Sequence, residues 1–192
     1  MSVVAAEAIF LVRRPVARWA WVAFGAGALA AAVVAVMVWS AAGGDDAGSH
    51  GAAEEIVART NAERARVGLP ALEIDAALTR ASGERARELA DGAPFSHTGA
   101  DGTTLDARVE AAGYEGWVVV AENLAMGAGA PPAEAVVAGW LRSAGHRQNL
   151  LSARAAEIGV SCASSDGDGE RRYWCVAVFG TRWAHAAAIK RQ

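Results

Sequence analysis

The sequence predicts an α+β domain in which helices cover a small antiparallel sheet. Helical patterns come first along the chain, and one strand, another helix and a β-hairpin follow. Only about three strands are evident, which is too few for a doubly wound parallel sheet. The roughly 130 residues that carry these elements are enough to bury one sizeable core without a structural metal. We therefore expect a single domain at 53–181.

A separate N-terminal region precedes this domain. Trp19–Trp39 contains no charged residue, and as a helix it is roughly 30 Å long, the thickness of a bilayer core. We expect residues 19–39 to form a transmembrane anchor or uncleaved signal. Because three arginines precede this segment, residues 1–18 are expected to lie in the cytoplasm and the domain outside the membrane. The alternatives are a signal peptide that is cleaved before residue 43, so that the domain is secreted, and a buried core helix.

End signals predict the first three helices, which follow a flexible Gly- and Ala-rich linker at 40–52. One face of the first helix is expected to carry Ile56, Val57, Thr60, Asn61, Arg64 and Val67. Gly68 is expected to end this helix. The second helix is expected to begin after the N-cap Asp75 and to end near the turn Asp91–Gly92. The third is expected to begin at the capping box Thr103–Asp106 and to end at Gly113.

The second half of the domain supplies the predicted strands. The apolar run Trp117–Ala121 is typical of a buried strand, and Pro131–Pro132 opens a fourth helix. Glu157–Cys162 and Tyr173–Phe179 then alternate as the two strands of a hairpin. Residues 182–192 are expected to form a C-terminal tail.

The two cysteines fit an exported domain. The dipeptide Asp168–Gly169 is a strong signal for a two-residue hairpin turn. Such a turn places Cys162 opposite Cys175 at a non-hydrogen-bonded pair, where Cα atoms approach to about 4.5 Å. This separation permits a disulfide, which persists in oxidising compartments. The alternative is a pair of buried free thiols.

Composition excludes several functional classes. The chain has 192 residues, of which 53% are hydrophobic and 20% charged, and its formal net charge is -3. A nucleic-acid-binding domain would need a basic stripe, and collagen-like, coiled-coil and disordered chains have other compositions. The sequence also lacks HExxH, GxSxG, Walker, GxGxxG and CxxC motifs.

Three residues stand out as candidates for chemistry. His97 follows the second helix, His146 follows the fourth, and Glu122 ends the apolar run of the first strand. A carboxylate in that position needs a cation or several hydrogen-bond donors. Two imidazoles and one carboxylate are the ligands of open zinc and iron sites. The alternative is a structural hydrogen-bond network.

Taken together, a set of short motifs resembles the CAP superfamily, which comprises the cysteine-rich secretory, antigen 5 and pathogenesis-related proteins. The motifs are Phe95–Ser96–His97, Ala121–Glu122–Asn123–Leu124, Trp140 followed by Gly145–His146–Arg147–Gln148–Asn149–Leu150, and Asn61 with Arg64. The closest likeness is to exported bacterial members. The resemblance implies an α-β-α sandwich whose cleft, lined by two histidines and acidic residues, binds a divalent metal, often zinc, in many members.

Residue by residue, the resemblance carries three of the four usual cleft residues onto this chain. His97, Glu122 and His146 match, and they are the predicted metal ligands. Ser143 stands where the family has its fourth residue, a glutamate, and Thr60 replaces a histidine that often precedes the N-x-x-R motif. Three ligands would hold a metal more weakly than a complete set with its supporting shell.

The expected function is that of a membrane-anchored, exported binding module. Asn123 is expected to hold the strand end, while Arg147 and Asn149 support the loop of His146. The expected partners are an envelope component, a lipid or a protein, and no nucleic acid. One alternative is a metal-dependent hydrolase of peptide or cell-wall substrates, with Glu122 as general base. The other is a structural envelope protein without metal.

Overall fold

In the computed structural model, residues 8–13, 47–167 and 169–183 are described, and they form five helices and five strands. The helices are α1 (Ala47–Arg66), α2 (Ala76–Ala90), α3 (Leu105–Ala111), α4 (Ala133–Arg142) and α5 (Ala144–Leu150). The strands are β1 (Ile9–Val12), β2 (Glu73–Ile74), β3 (Trp117–Ala128), β4 (Glu157–Gly167) and β5 (Glu170–Arg182).

The strands form one sheet in the order β1-β3-β5-β4-β2. Three of its four pairings are antiparallel, as predicted, but β2 runs parallel to β4, with Glu73 opposite Glu157. The sequence predicted three strands, and the structure adds the two at the edges. Both are short, with four and two residues, and such segments are too brief to show a periodic pattern.

Two apolar clusters lie on opposite faces of the sheet. The α1–α4–α5 cluster contains Ile56, Val57, Val136, Val137, Trp140, Leu150, Ile158 and Phe179 among its buried side chains. The α2–α3 cluster contains Leu78, Leu89, Leu105, Val109, Tyr114, Val120, Leu124 and Val178. Helices therefore cover both faces, which makes the expected α-β-α sandwich, and the central strands β3 and β5 contribute to both clusters.

Helix α1 differs from the prediction at both of its ends. It begins at Ala47, so residues 47–52 are helical although they lie in the predicted flexible linker. Ser49 and Ala52 are buried, and this packing outweighs the weak helix propensity of the glycines beside them. At the other end, Val67 follows the helix and is 53% exposed, so it does not face the core as predicted.

The predicted N-terminal cap is observed in α2 but not in α3. The Asp75 side chain accepts hydrogen bonds from the backbone N–H groups of Ala77 and Leu78, which confirms the predicted N-cap of α2. The predicted capping box of α3 is wrong, because the N-cap is Thr104 and its side chain makes no capping hydrogen bond. The N–H of Thr103 binds Asp101 instead, in a turn before the helix.

The hairpin confirms the predicted register. Cys162 lies opposite Cys175 with a Cα–Cα distance of 4.1 Å, and the two form a disulfide. The strands are longer than predicted and continue to Gly167 and Glu170 beside the turn. Gly169 has φ +79°, which a left-handed turn position requires, whereas Asp168 lies outside the described residues.

The N-terminal region is described only at residues 8–13. The predicted transmembrane segment 19–39 lies outside the described residues, as do residues 184–192 of the predicted tail. Among the residues that are described, no helix is long and apolar enough to cross a bilayer. Within the predicted cytoplasmic segment 1–18, strand β1 lies in the sheet of the domain, where its four residues pair with β3.

Candidate functional site

Three elements bring the predicted cleft residues into one region. His97 lies in the loop between α2 and α3, Glu122 is a fully buried residue in the middle of β3, and His146 lies in the first turn of α5. The sequence placed Glu122 at a strand end, and the structure continues the strand to Ala128. Because β3 pairs with neighbours on both sides, the Glu122 backbone is fixed within the sheet.

Glu122 binds two cationic or polar partners. Its Oε1 lies 2.7 Å from Nδ1 of His97, and its Oε2 accepts a hydrogen bond of 2.6 Å from Nη2 of Arg108. Arg108 comes from α3 and is also buried, so the ion pair is shielded from water. The pair neutralises a carboxylate that would otherwise be costly to bury.

Both Glu122 oxygens therefore already have partners in the protein. Among the described residues, no group of three or more His, Cys, Asp or Glu side chains is arranged to hold a metal ion. Of the predicted triad, His97 contacts Glu122, whereas the His146 ring contacts Ser143. The carboxylate orients the His97 ring, in the way that acidic side chains support metal-binding histidines.

His146 is held by hydrogen bonds on its ring and on its backbone. Its Nδ1 lies 2.8 Å from Oγ of Ser143, the N-cap residue of α5, and its carbonyl accepts a 3.0 Å hydrogen bond from Asn123. The side chain is buried. Desolvation, together with the charge of nearby His97, lowers the pKa of His146 to about 4. The ring is therefore neutral at pH 7.

The remaining ring nitrogens of the two histidines have no partner. Nε2 of His97 and Nε2 of His146 are both buried, and neither makes a hydrogen bond within the part of the chain that is described. The charge of His97 is the second cause of the lowered pKa of His146, after desolvation. Buried polar atoms are normally satisfied, so these two nitrogens are the candidate ligand-binding atoms of the site.

Arg85 fixes the loop that carries His97. Its buried guanidinium donates hydrogen bonds to the carbonyls of Pro94 and Thr98, each at 3.1 Å, and to that of Ser96. Neither Arg85 nor Arg108 was predicted from the sequence. A signal was present for Arg85, because it lies four residues before Leu89 in the apolar stripe of α2, where a charged residue needs buried partners.

Asn149 connects helix α5 to strands β3 and β1. Its Nδ2 donates to Oδ1 of Asn123 at 2.9 Å, to the carbonyl of Glu122 at 3.3 Å and to that of Ile9 at 3.1 Å. Asn123 and Asn149 thus bind each other, and Asn123 also binds the carbonyl of His146. Arg147 does not take part, because it is exposed on α5 and its side chain makes no hydrogen bond or ion pair with the described residues.

Arg64 anchors the far end of α5. This fully buried side chain donates hydrogen bonds to the carbonyls of Leu150 and Ser152, at 3.0 and 2.9 Å, and to those of Pro70 and Ala155. One guanidinium thus satisfies four carbonyls at the end of α5 and in the loops around it. The N-x-x-R motif therefore has a structural role in holding the helix that carries His146.

The chain is similar to a known protein family and to bacterial proteins. A model of the cysteine-rich secretory protein (CAP) family matches residues 57–179. The uncharacterized protein YkwD of Bacillus subtilis is 33% identical over 113 residues, which are 58% of this chain and 42% of that protein. This chain therefore spans less than half of that relative's length.

Solved structures of similar fold come from bacterial surface and extracellular proteins. An extracellular protein with an SCP domain from Bacillus anthracis superposes with a TM-score of 0.58 and 26% identity, covering 70% of this chain and 41% of the other. An outer surface protein from Borrelia burgdorferi gives a TM-score of 0.56 and 25% identity, covering 69% and 93%. With the family match spanning most of the domain, the chain belongs to the cysteine-rich secretory protein (CAP) family.

Proposed function

We propose that this chain is an exported CAP-domain binding module whose cleft takes up a divalent cation, with zinc as the candidate, through His97 and His146. One observation carries the proposal: Nε2 of each histidine is buried and has no partner among the described residues. A buried imidazole nitrogen without a partner is costly unless something binds it. Zinc is commonly bound by imidazole nitrogen in proteins.

The hydrogen bonds of the two rings favour this role. Oε1 of Glu122 can accept a hydrogen bond from the N–H of His97 Nδ1, and Oγ of Ser143 can accept one from Nδ1 of His146. In a neutral imidazole with the proton on Nδ1, the lone pair is on Nε2. The lowered pKa of His146 keeps that ring neutral at pH 7, as metal binding requires.

Two protein ligands leave a zinc ion with open positions. Structural zinc sites use four protein ligands, whereas sites with fewer retain water or a bound ligand. Arg108 cancels the charge of Glu122, so the cleft attracts a cation less strongly than one with a second acidic residue. We therefore expect weaker binding than at a four-ligand site, and open positions that a donor group of a partner can occupy.

A binding role is favoured over hydrolysis by the contacts of Glu122. A general base needs a carboxylate that can reach the attacking water. Both oxygens of Glu122 are instead held by His97 and Arg108, at 2.7 and 2.6 Å. The hydrolase alternative would require this buried ion pair to open.

The disulfide and the relatives support an exported location. Cys162 and Cys175 form a bond that persists in oxidising compartments. The solved relatives are described as an extracellular protein and an outer surface protein. We propose that residues 19–39 anchor the chain in the membrane with the domain outside, and that its ligand is an envelope component, a lipid or a protein.

Calorimetric titration of zinc into the full chain in detergent tests the cleft. We expect one zinc per chain, lost in His97→Ala and in His146→Ala and retained in His50→Ala. His50 is a matched control because its exposed ring pairs with Glu54 on the surface of α1 and with no other described residue. Binding that survives both cleft substitutions would place the cation elsewhere. No binding at tens of micromolar zinc would favour the structural alternative.

Glu122→Gln separates binding from hydrolysis. As a residue that orients His97, it is expected to weaken zinc binding about 10–100-fold without abolishing it. The metal-loaded wild type is assayed in parallel on peptide, ester and glycan panels. Turnover by the wild type that is lost in a folded Glu122→Gln variant would establish the hydrolase alternative instead.

A further inference from the structure

Strand β1 is bound to the domain in the manner of a peptide ligand. It pairs antiparallel with β3, with Ile9 opposite Glu122 and Val12 opposite Val119. The N–H of Arg13 extends the pairing with a 3.0 Å hydrogen bond to the carbonyl of Val118. More than 30 residues of chain separate this segment from α1, so it contacts the domain as a separate extended strand.

The side chains of β1 alternate between the two faces of the sheet. Ile9 and Leu11 pack against the α2–α3 cluster, while Phe10 packs against the α1–α4–α5 cluster. The guanidinium of Arg154 lies 5.7 Å from the centroid of the Phe10 ring. Val12, by contrast, is 47% exposed. The domain thus contacts three successive apolar side chains and leaves the fourth largely in solvent.

A basic residue completes the recognised segment. The guanidinium of Arg13 lies 4.9 Å from the centroid of the Trp117 ring and 2.8 Å from Oε1 of Glu110. Nε1 of Trp117 donates a 3.0 Å hydrogen bond to the same carboxylate. The edge therefore offers a cation–π surface and an acidic group together, a combination that favours arginine.

The N-terminal end of β1 lies beside the cleft. Asn149 donates a 3.1 Å hydrogen bond to the carbonyl of Ile9, and the same amide nitrogen contacts the carbonyl of Glu122. Ala8 lies against α5, because a Cβ built on Gly145 would be 3.0 Å from the Ala8 side chain. A peptide on this edge therefore ends next to the helix turn that carries His146.

The proposed export separates β1 from this edge. If residues 19–39 are a membrane anchor with the arginines inside, residues 8–13 lie on the opposite side of the bilayer from the domain. If the segment is cleaved as a signal, residues 8–13 are removed with it. In both forms the β3 edge of the exported domain loses β1, its partner there among the described residues, and an open edge readily accepts another extended chain.

We propose that the edge of β3 is a binding site for an extended peptide of a partner protein, running antiparallel to β3 with the pattern aliphatic–aromatic–aliphatic–any–basic. Main-chain hydrogen bonds to β3 would supply affinity, as in other cases of strand addition. The alternating apolar contacts and the Glu110–Trp117 site would supply specificity. The biological setting depends on the export proposed above, whereas the binding site itself does not depend on the metal.

Peptide binding to the full chain tests this site. The receptor is the full chain in detergent with Phe10→Asp and Leu11→Asp, which remove the apolar contacts of its own β1. The probe is a fluorescein-labelled synthetic peptide with the sequence of residues 6–15, followed by anisotropy in EDTA. We expect saturable one-to-one binding, and weaker binding to the wild-type chain, whose own β1 competes.

Matched peptides define the recognition. A peptide with Phe10→Asp should bind at least about tenfold more weakly, because a buried aromatic anchor is lost. A peptide with Arg13→Glu should also bind more weakly than the original peptide. Adding Glu110→Arg to the receptor reverses the charge at the edge. On this receptor, the Arg13→Glu peptide should bind more tightly than the unsubstituted peptide.

Two results would overturn the proposal: no saturable binding to a receptor with native near-ultraviolet circular dichroism, or equal binding of the original and Phe10→Asp peptides. If the doubly substituted receptor does not fold, Phe10→Ala is the receptor and the same criteria apply. Zinc titration of the same receptor reports the cleft separately. Loss of peptide binding with zinc binding intact would contradict this inference alone.

Discussion

Burial of a single imidazole sets a pH dependence of stability. His146 is only 1% exposed, and desolvation and His97 lower its pKa to about 4 in the folded protein. In the unfolded chain, a histidine has a pKa of about 6.5. Between these two values the unfolded state binds a proton that the folded state does not, so acid favours unfolding.

We expect the contribution of His146 to the free energy of unfolding to be constant above about pH 6.5 and to fall as the pH drops from 6.5 to about 4. At about 1.4 kcal/mol per pKa unit, the loss is on the order of 3 kcal/mol. Urea denaturation in EDTA at pH 7, 5.5 and 4 measures it. His146→Asn should remove this part of the slope, whereas His50→Asn should retain it. An unchanged slope in His146→Asn would contradict the assignment.

For single residues, the sequence analysis selected the candidate site residues but not their partners. His97, Glu122 and His146 were selected because imidazoles near element ends and a carboxylate after an apolar run are unusual. Their arrangement was not predictable, because Glu122 binds Arg108, which is 14 residues away in the chain and on another element. The burial of arginines such as Arg85 depends on hydrogen-bond acceptors in the tertiary structure, which the local sequence does not reveal.

Between elements, a close contact of helix α2 with the sheet depends on one glycine. Gly159 in β4 faces α2, and a Cβ at this position would collide with the backbone of Leu78 and Thr79. Oγ of Ser161, two residues further along the same strand, donates a 3.1 Å hydrogen bond to the carbonyl of Thr79. Helix α2 therefore lies directly on β4, and Arg85 in the same helix holds the His97 loop.

Gly159→Ala should lower the free energy of unfolding by about 1–3 kcal/mol, because the helix must move away from the strand. Gly51→Ala is the matched control. Gly51 is exposed in α1, with nothing within 4 Å of an added Cβ, so alanine there should stabilise the helix by up to about 1 kcal/mol. Urea denaturation of both variants compares them. Equal stability of Gly159→Ala and the wild type would show that α2 shifts without cost.

The elements that were predicted well have local signals, and the others depend on distant partners. Asp75 capped its helix as expected, and the alternation around Cys162 and Cys175 fixed the hairpin register. Strand β2 has only two residues and forms by pairing with β4, more than 80 residues later. Helix α5 was interpreted as a loop because its seven residues are too few for a periodic pattern.

At the scale of the whole molecule, the disulfide is the covalent cross-link that constrains the fold. It joins β4 to β5, and its Cys175 side lies within the α1–α4–α5 cluster. The cysteines are 13 residues apart, so the bond closes a short loop. Loops of this size limit the entropy of the unfolded chain by an amount that corresponds to about 3 kcal/mol.

We expect Cys162→Ala/Cys175→Ala to lower the free energy of unfolding by about 2–4 kcal/mol. Dithiothreitol should lower the stability of the wild type by a similar amount and leave that of the variant unchanged, as thermal and urea denaturation with and without reductant can show. A wild type that is equally stable in its reduced form would mean that the hairpin and its core contacts alone determine stability in this region.

The pairing of β1 with β3 also has a consequence for the order of events during biosynthesis. Ile9 is made early, but its partner Glu122 follows more than a hundred residues later. At about 5–20 residues per second, the ribosome needs roughly 5–20 s to add them. During this interval the charge-free stretch Trp19–Trp39 has already been synthesised, while β1 has no strand to pair with. A membrane-targeting factor that binds the stretch in this time acts before the domain can bind its own N-terminal strand.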